Sequence, residues 1–166
     1  MLGSLQDAGN TSTLAGYINL LNESGMLCGL QKYSIDPARR KASIPKLQVY
    51  NNALKMIYNS LTFEQAIKNR KEWGHIFESG IGAYLVSQAF IRRFEIFYWR
   101  ERNDEVDFIL RKNKSTVAIE IKSNGEKRTD GLQKFKELFN PDTSFIVGDG
   151  GISAQNFFNM DLAKLF

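Results

Sequence analysis

The chain has 166 residues, of which 43% are hydrophobic and 24% charged, and carries a formal net charge of +4. That suits one domain, or a small one attached to a larger one, with a real core. A basic excess this small permits a nucleic-acid partner without arguing for one. The single cysteine, Cys28, excludes an internal disulfide and cannot by itself make a zinc site; its apolar neighbours make it a buried structural thiol. No apolar run approaches the ~20 residues that span a bilayer. The opening MLGSLQDAGN lacks the blocks of a signal peptide, so a cytoplasmic protein is expected.

Residues 1 to 10 are weakly patterned. Thr11, Ser12 or Thr13 can cap a helix reaching Ser24, with Leu14, Ile18 and Leu21 on one face and Gly25 placed to end it. Residues 26 to 33, MLCGLQKY, read as a strand, and residues 46 to 50, KLQVY, as a second. The basic loop between them, with Arg39, Arg40, Lys41 and Pro45, is then the tip of a hairpin. Residues 51 to 59 read as a short helix capped by Asn51 or Asn52. Helix, strand, basic loop, strand is the order of a winged-helix unit, so residues 1–61 are expected to be a partial unit of that kind. Thr62 can cap a connecting helix over residues 62–73.

Residues 74–166 form the second expected domain. Ile76, Phe77, Gly80, Ile81, Tyr84, Leu85 and Gln88 follow helical spacing, which predicts a long helix from about Gly74 to Ala89. Gly80 and Gly82 each cost it about 1 kcal/mol against Ala, which close approach of the helix to a sheet would offset. Three runs rich in Val, Ile, Phe, Tyr and Trp follow, over residues 94–99, 106–110 and 116–121, separated by charged turns. They predict an antiparallel meander. Strand alternation puts Glu120 and Lys122 on one face and Ile119 and Ile121 on the other, and lets Asp107 on the neighbouring strand face the charged pair. Asp104 and Glu105 read as turn residues, and His75 as a capping or surface group. Asp130 can cap a helix through Leu138, ended by Pro141; residues 143–151 are a short buried strand and a loop; and the apolar end of the chain packs back on the body. The fold class expected is α/β (α+β).

That order resembles the PD-(D/E)xK nuclease superfamily over residues 74 to 150. The matching positions are Glu78 on the first helix, Asp107 on the second strand and Glu120-Ile121-Lys122 on the third. Val106 stands where the superfamily's pattern has proline. The resemblance implies a restriction endonuclease-like core in which Asp107 and Glu120 ligate Mg2+ or Mn2+. Glu78 is an additional ligand or holds a metal-bound water, and Lys122 orients the water or stabilises developing charge. Phosphodiester hydrolysis needs a hard cation, and such a cation takes carboxylate oxygens. The ion also explains how two neighbouring acids stay ionised. The competing reading is a structural ion-pair cluster, with Lys122 neutralising Glu120 and Asp107. Arg39, Arg40, Lys41 and Arg100 are candidate phosphate contacts, against a reading as solvated surface.

A second resemblance covers nearly the whole chain. LQDAGNTSTLAGYINLLNESGMLCGLQKYS, PKLQVYNNAL, WGHIFESGIGAYL, YWRERNDEVDFIL and AIEIKS look like the C-terminal half of a family of prokaryotic AAA-type ATPases, the region called domain of unknown function 4143. The resemblance implies an upstream ATPase domain as partner. The chain contains no G-x-x-x-x-G-K-[ST], so no nucleotide site and no ATP hydrolysis are expected of it. Two functions stand open: a magnesium-dependent DNA endonuclease module, or a non-catalytic module that binds nucleic acid or protein and regulates the ATPase. The apolar tail of Phe157, Phe158, Leu162, Leu165 and Phe166 would also suit self-association.

Overall fold

The computed structural model describes residues 11–36, 38, 40, 43–57, 61–123 and 130–166. Six strands, β1 (Leu27–Lys32), β2 (Lys46–Val49), β3 (Glu95–Glu101), β4 (Asp104–Lys112), β5 (Ser115–Lys122) and β6 (Thr143–Gly148), make one mixed sheet in the order β2-β1-β3-β4-β5-β6. Among the described residues the helices are α1 (Thr11–Glu23), α2 (Asn52–Met56), α3 (Phe63–Lys68), α4 (Arg70–Arg92), α5 (Asp130–Phe139) and α6 (Ala154–Phe158), followed by a short 3-10 turn (Leu162–Leu165). The fold is mixed α and β.

The expected meander is present: β3, β4 and β5 are antiparallel neighbours, and β6 returns parallel to β5 after α5. The hairpin is present too, with Leu27 opposite Val49 and Leu30 opposite Lys46. Its first strand lies parallel to β3, paired at Gln31 with Phe97 and at Lys32 with Tyr98. The segments before and after residue 61 therefore share one sheet, with β2 at one edge and β6 at the other.

Three helix boundaries differ from the periodicity. The connecting helix stops at Lys68, and the long helix starts at Arg70 instead of Gly74 and runs on to Arg92. Asn69 is the reason. Its backbone is extended, which breaks the helix, and its side chain accepts from the Glu72 N–H, which starts the next one. Thr62 and Gln65 close a capping box on α3.

Alternation sorts the core into two layers. Val117, Ile119, Ile121, Phe108 and Leu110 pack with Ile81, Leu85 and Val86 of α4. Ala118, Ile109, Val106, Phe97 and Trp99 pack with Leu132 and Phe135 of α5. The tail closes the α4 layer: Phe157 and Leu162 are fully buried in it. Most of the tail's apolar surface is thus covered within the chain, which withdraws the main support for self-association through it, although Phe158 stays 44% exposed. Cys28 is half-buried, and burial pushes its thiol up to about 11, as suits an unreactive structural group.

Gly80 and Gly82 behave differently. A Cβ on Gly82 would run into the Gln48 side chain and the Phe108 ring. Gln48 cannot swing aside, because it is buried and donates to the carbonyls of Val49 and Ser79. Gly82 is what lets α4 lie directly against β2. Gly80 meets only Asn52, at ordinary contact distance. Gly82→Ala should therefore cost about 2 kcal/mol by overpacking, while Gly80→Ala should gain up to about 1 kcal/mol. Urea unfolding of the two variants checks both signs.

Candidate functional site

Three elements bring charge to one place beside the α4 face of the sheet. Residues Lys46 and Gln48 alternate onto the same side of β2. Because Gln48 is locked onto Ser79 of α4, Lys46 is carried to the neighbouring Glu78. Its ammonium lies 2.7 Å from Glu78 Oε1, and 3.4 Å from both Glu105 Oε1 and Asp107 Oδ1 of β4. It also sits 5.2 Å from the centre of the Phe108 ring, within cation–π range. Arg100 on β3 takes the other oxygen of Glu105 at 2.6 Å.

Asp107 reaches this group because β4 carries an extra residue. Along β3 the pairing steps from Phe97 to Trp99, while along β4 it steps from Ile109 to Val106. Two residues against three is a bulge, and a bulge re-aims the side chains on it. On the other side, the ladder with β5 ends at Phe108 opposite Ile119. Beyond that point the Ile121 N–H donates to Asp107 Oδ2 at 2.8 Å. A carboxylate thus takes the place of a strand carbonyl, which ties Asp107 to the backbone between Glu120 and Lys122.

Glu120 and Lys122 form their own pair, with Nζ 2.8 Å from Glu120 Oε1. Glu120 is 92% buried by residue, and its Oε2 has no hydrogen-bond partner among the described residues. A cleft of about 220 Å3 opens beside this pair, and one of about 670 Å3 beside Lys46 and Glu78; Glu105 lines both. Lys32, His75, Tyr98 and Arg100 line the larger one. A Cβ on Gly131 would strike the Glu105 backbone, so α5 begins hard against β4 next to the smaller cleft.

The four expected residues thus lie in one neighbourhood but not in one ring. Asp107 and Glu78 share Lys46, while Glu120 is neutralised by Lys122, as the ion-pair reading expected for that half. Among the described residues, no three His, Cys, Asp or Glu side chains form a group that could hold a metal ion as they stand. One further correction concerns the start of β4. Glu105 is a strand residue inside the site, and Asp104 is a strand residue paired with Lys134 of α5 at 2.8 Å; neither is a turn residue. His75 lies inside α4 and is exposed at the larger cleft, which is the surface position expected and not a cap. Among the candidate phosphate contacts, Arg40 donates to the Ser34 carbonyl and lies over Phe97, and Arg100 is engaged by Glu105. Arg39 and Lys41 lie outside the described residues. Lys46 was missed as a site residue because the sequence shows it only as the last cation of a basic loop.

The charges act on one another strongly. Burial first, and then the charge of Glu78, push Asp107 up to about 7, with Lys46 and the Ile121 N–H pulling the other way. Burial likewise raises Glu120 against the pull of Lys122. For Lys46, burial opposes the charge, but Asp107, Glu78 and Glu105 together outweigh it and hold the ammonium above its usual range.

A stability prediction follows. A carboxyl whose folded value is raised binds its proton more tightly in the fold. The folded state therefore loses stability as pH climbs from about 4, the unfolded aspartate value, through about 7. Lys46→Met removes the cation that limits this loss. The variant should be less stable than wild type by about 2 kcal/mol at pH 8, with the gap shrinking toward pH 5 as the acids protonate. Urea unfolding at the two pH values checks it. A gap that is constant or widens on acidification contradicts it.

The sequence matches the family model described as Domain of unknown function (DUF4143) over residues 73–156, just over half of the chain. The matched segment carries Glu78, Asp107, Glu120 and Lys122, and it leaves Lys46 outside. No curated protein and no solved structure matches the chain. With its meander, α5, all but the first turn of α4 and its acidic residues inside the matched segment, this chain belongs to the DUF4143 family.

Proposed function

We propose that this chain is a nuclease-like module that hydrolyses phosphodiester bonds in DNA with the help of a hard divalent cation, Mg2+ or Mn2+. The observation that carries the reading is the meeting of Asp107, Glu78 and Glu105 around a single cation, with Glu120 and Lys122 one strand away. The order of α4, meander, α5 and a β6 parallel to β5 supports a restriction endonuclease-like core. The donor set suits the ion: every ligand on offer is a hard carboxylate oxygen, and Glu120 Oε2 is a buried acceptor with no partner among the described residues. Asp107, Glu120 and Glu78 would hold the ion once their carboxylates leave Lys46 and Lys122 and swing together. When bound, it neutralises phosphoryl oxygens and makes a water more acidic.

The chain's own groups do the rest. The Ile121 N–H fixes one oxygen of the Asp107 carboxylate, so its other oxygen is turned to Lys46. Lys122 stands beside Glu120 with an ammonium that can orient a water or take up charge on the phosphate. Lys32 and Arg100 border the larger cleft, where a phosphate chain would meet positive charge. An ATPase domain upstream would deliver or time the substrate, as the resemblance to the AAA-type ATPases implies.

One observation favours a second reading, a non-catalytic binding or regulatory module: Lys46 already occupies the acidic ring. Plasmid nicking with Mg2+ or Mn2+ separates the two. Wild type should nick, and Asp107→Ala and Lys122→Ala should each lose about a hundredfold or more. Equal rates in all three proteins sink the catalytic reading. DNA binding without nicking, with affinity falling steeply as salt rises, would support the second.

A further inference from the structure

We propose that Lys46 is a tethered counter-cation: it holds the ligand carboxylates in the absence of metal, and a divalent ion enters only as the ammonium leaves. The inference rests on the metal reading above and adds a control element to it.

The argument begins with shared oxygens. Lys46 is 2.7 Å from Glu78 Oε1 and 3.4 Å from Asp107 Oδ1, the two acids that would be ligands on this face. An ammonium and a divalent ion cannot both use those oxygens, and at such range they repel each other. Lys46 is also better held than an ordinary surface lysine, since Glu105 and the Phe108 ring add to its hold. The strand beneath it is fixed. Gln48 is buried, bonded to α4 and packed on Gly82, so displacement is a swing of the lysine side chain and not a shift of β2. There is space for that swing: Lys46 lines the 670 Å3 cleft, and its side chain is already 20% exposed. A lysine that leaves the acids for this cleft stays beside Lys32 and Arg100, where it adds a charge for a phosphate. Lys46 comes from β2, outside residues 73–156, so the hairpin supplies a cation to a site built by the family segment.

The test is calorimetry with Mn2+ on the 166-residue chain, comparing wild type with Lys46→Met and Lys46→Gln, and with Asp107→Ala as the ligand control. Both Lys46 variants should bind Mn2+ about tenfold tighter than wild type, the equivalent of one partly buried ion pair, and Asp107→Ala should lose binding. In wild type, saturating Mn2+ should speed acetylation of Lys46, read by peptide mass spectrometry against exposed Lys164. Equal Mn2+ affinities in wild type and the Lys46 variants, with Lys46 acetylation unchanged, overturn the inference and leave the metal reading standing. No Mn2+ binding in any of the proteins overturns the metal reading and the inference with it. Should both variants fail to fold, wild type decides alone: bound Mn2+ without faster Lys46 acetylation overturns the inference.

Discussion

The structure turns on one ammonium. Lys46 is the cation shared by carboxylates from α4 and β4, and it comes from a third element, β2. Without it, Glu78, Glu105 and Asp107 would face one another across a half-buried space, where like charges drive protons onto carboxylates. The arrangement is therefore a charge balance between two parts of the chain. The family segment contributes the acids and the preceding hairpin contributes the base. Its contribution is concentrated in placement more than in stability, because a partly buried ion cluster gains little over what its desolvation costs.

Placement in turn depends on backbone detail. The extra residue in β4 aims Asp107 at Lys46 and at the Ile121 N–H together. That amide links the two halves of the site: on one side Asp107 with Glu78 and Lys46, on the other Glu120 with Lys122. Glycine sets the distances at two points. Gly82 admits β2 and its Gln48 to the helix, and Gly131 brings α5 against the Glu105 backbone. Both are places where a methyl group would push the walls of the site apart.

Much of this was legible in the sequence, and the exceptions have physical causes. The strands β3, β4 and β5 followed from their β-branched and aromatic runs, and the facing of Glu120 and Lys122 away from Ile119 and Ile121 followed from a period of two. The plainer alternative had Lys122 neutralising Glu120 and Asp107; the structure has the Glu120 half, while Asp107 goes to Lys46. Glu105 was misjudged because a charged DE pair after an Arg-Asn turn looks like more turn, whereas the strand already begins at Asp104. The break at Asn69 hid inside a run with good helical propensity. Lys46 could not be found by any local rule. Its position is set by β1 lying parallel to β3 through two residue pairs, a contact between segments more than 60 residues apart. The bulge was equally invisible, since no glycine or proline in β4 announces it.

The most direct measurement of the account is the Lys46 side-chain ammonium itself, followed by nuclear magnetic resonance of the metal-free protein as pH is raised. The account predicts a slowly exchanging ammonium, close to the Glu78 side chain, that keeps its protons above the ordinary lysine range. A Lys46 ammonium that exchanges rapidly and loses its protons within the ordinary lysine range would contradict it.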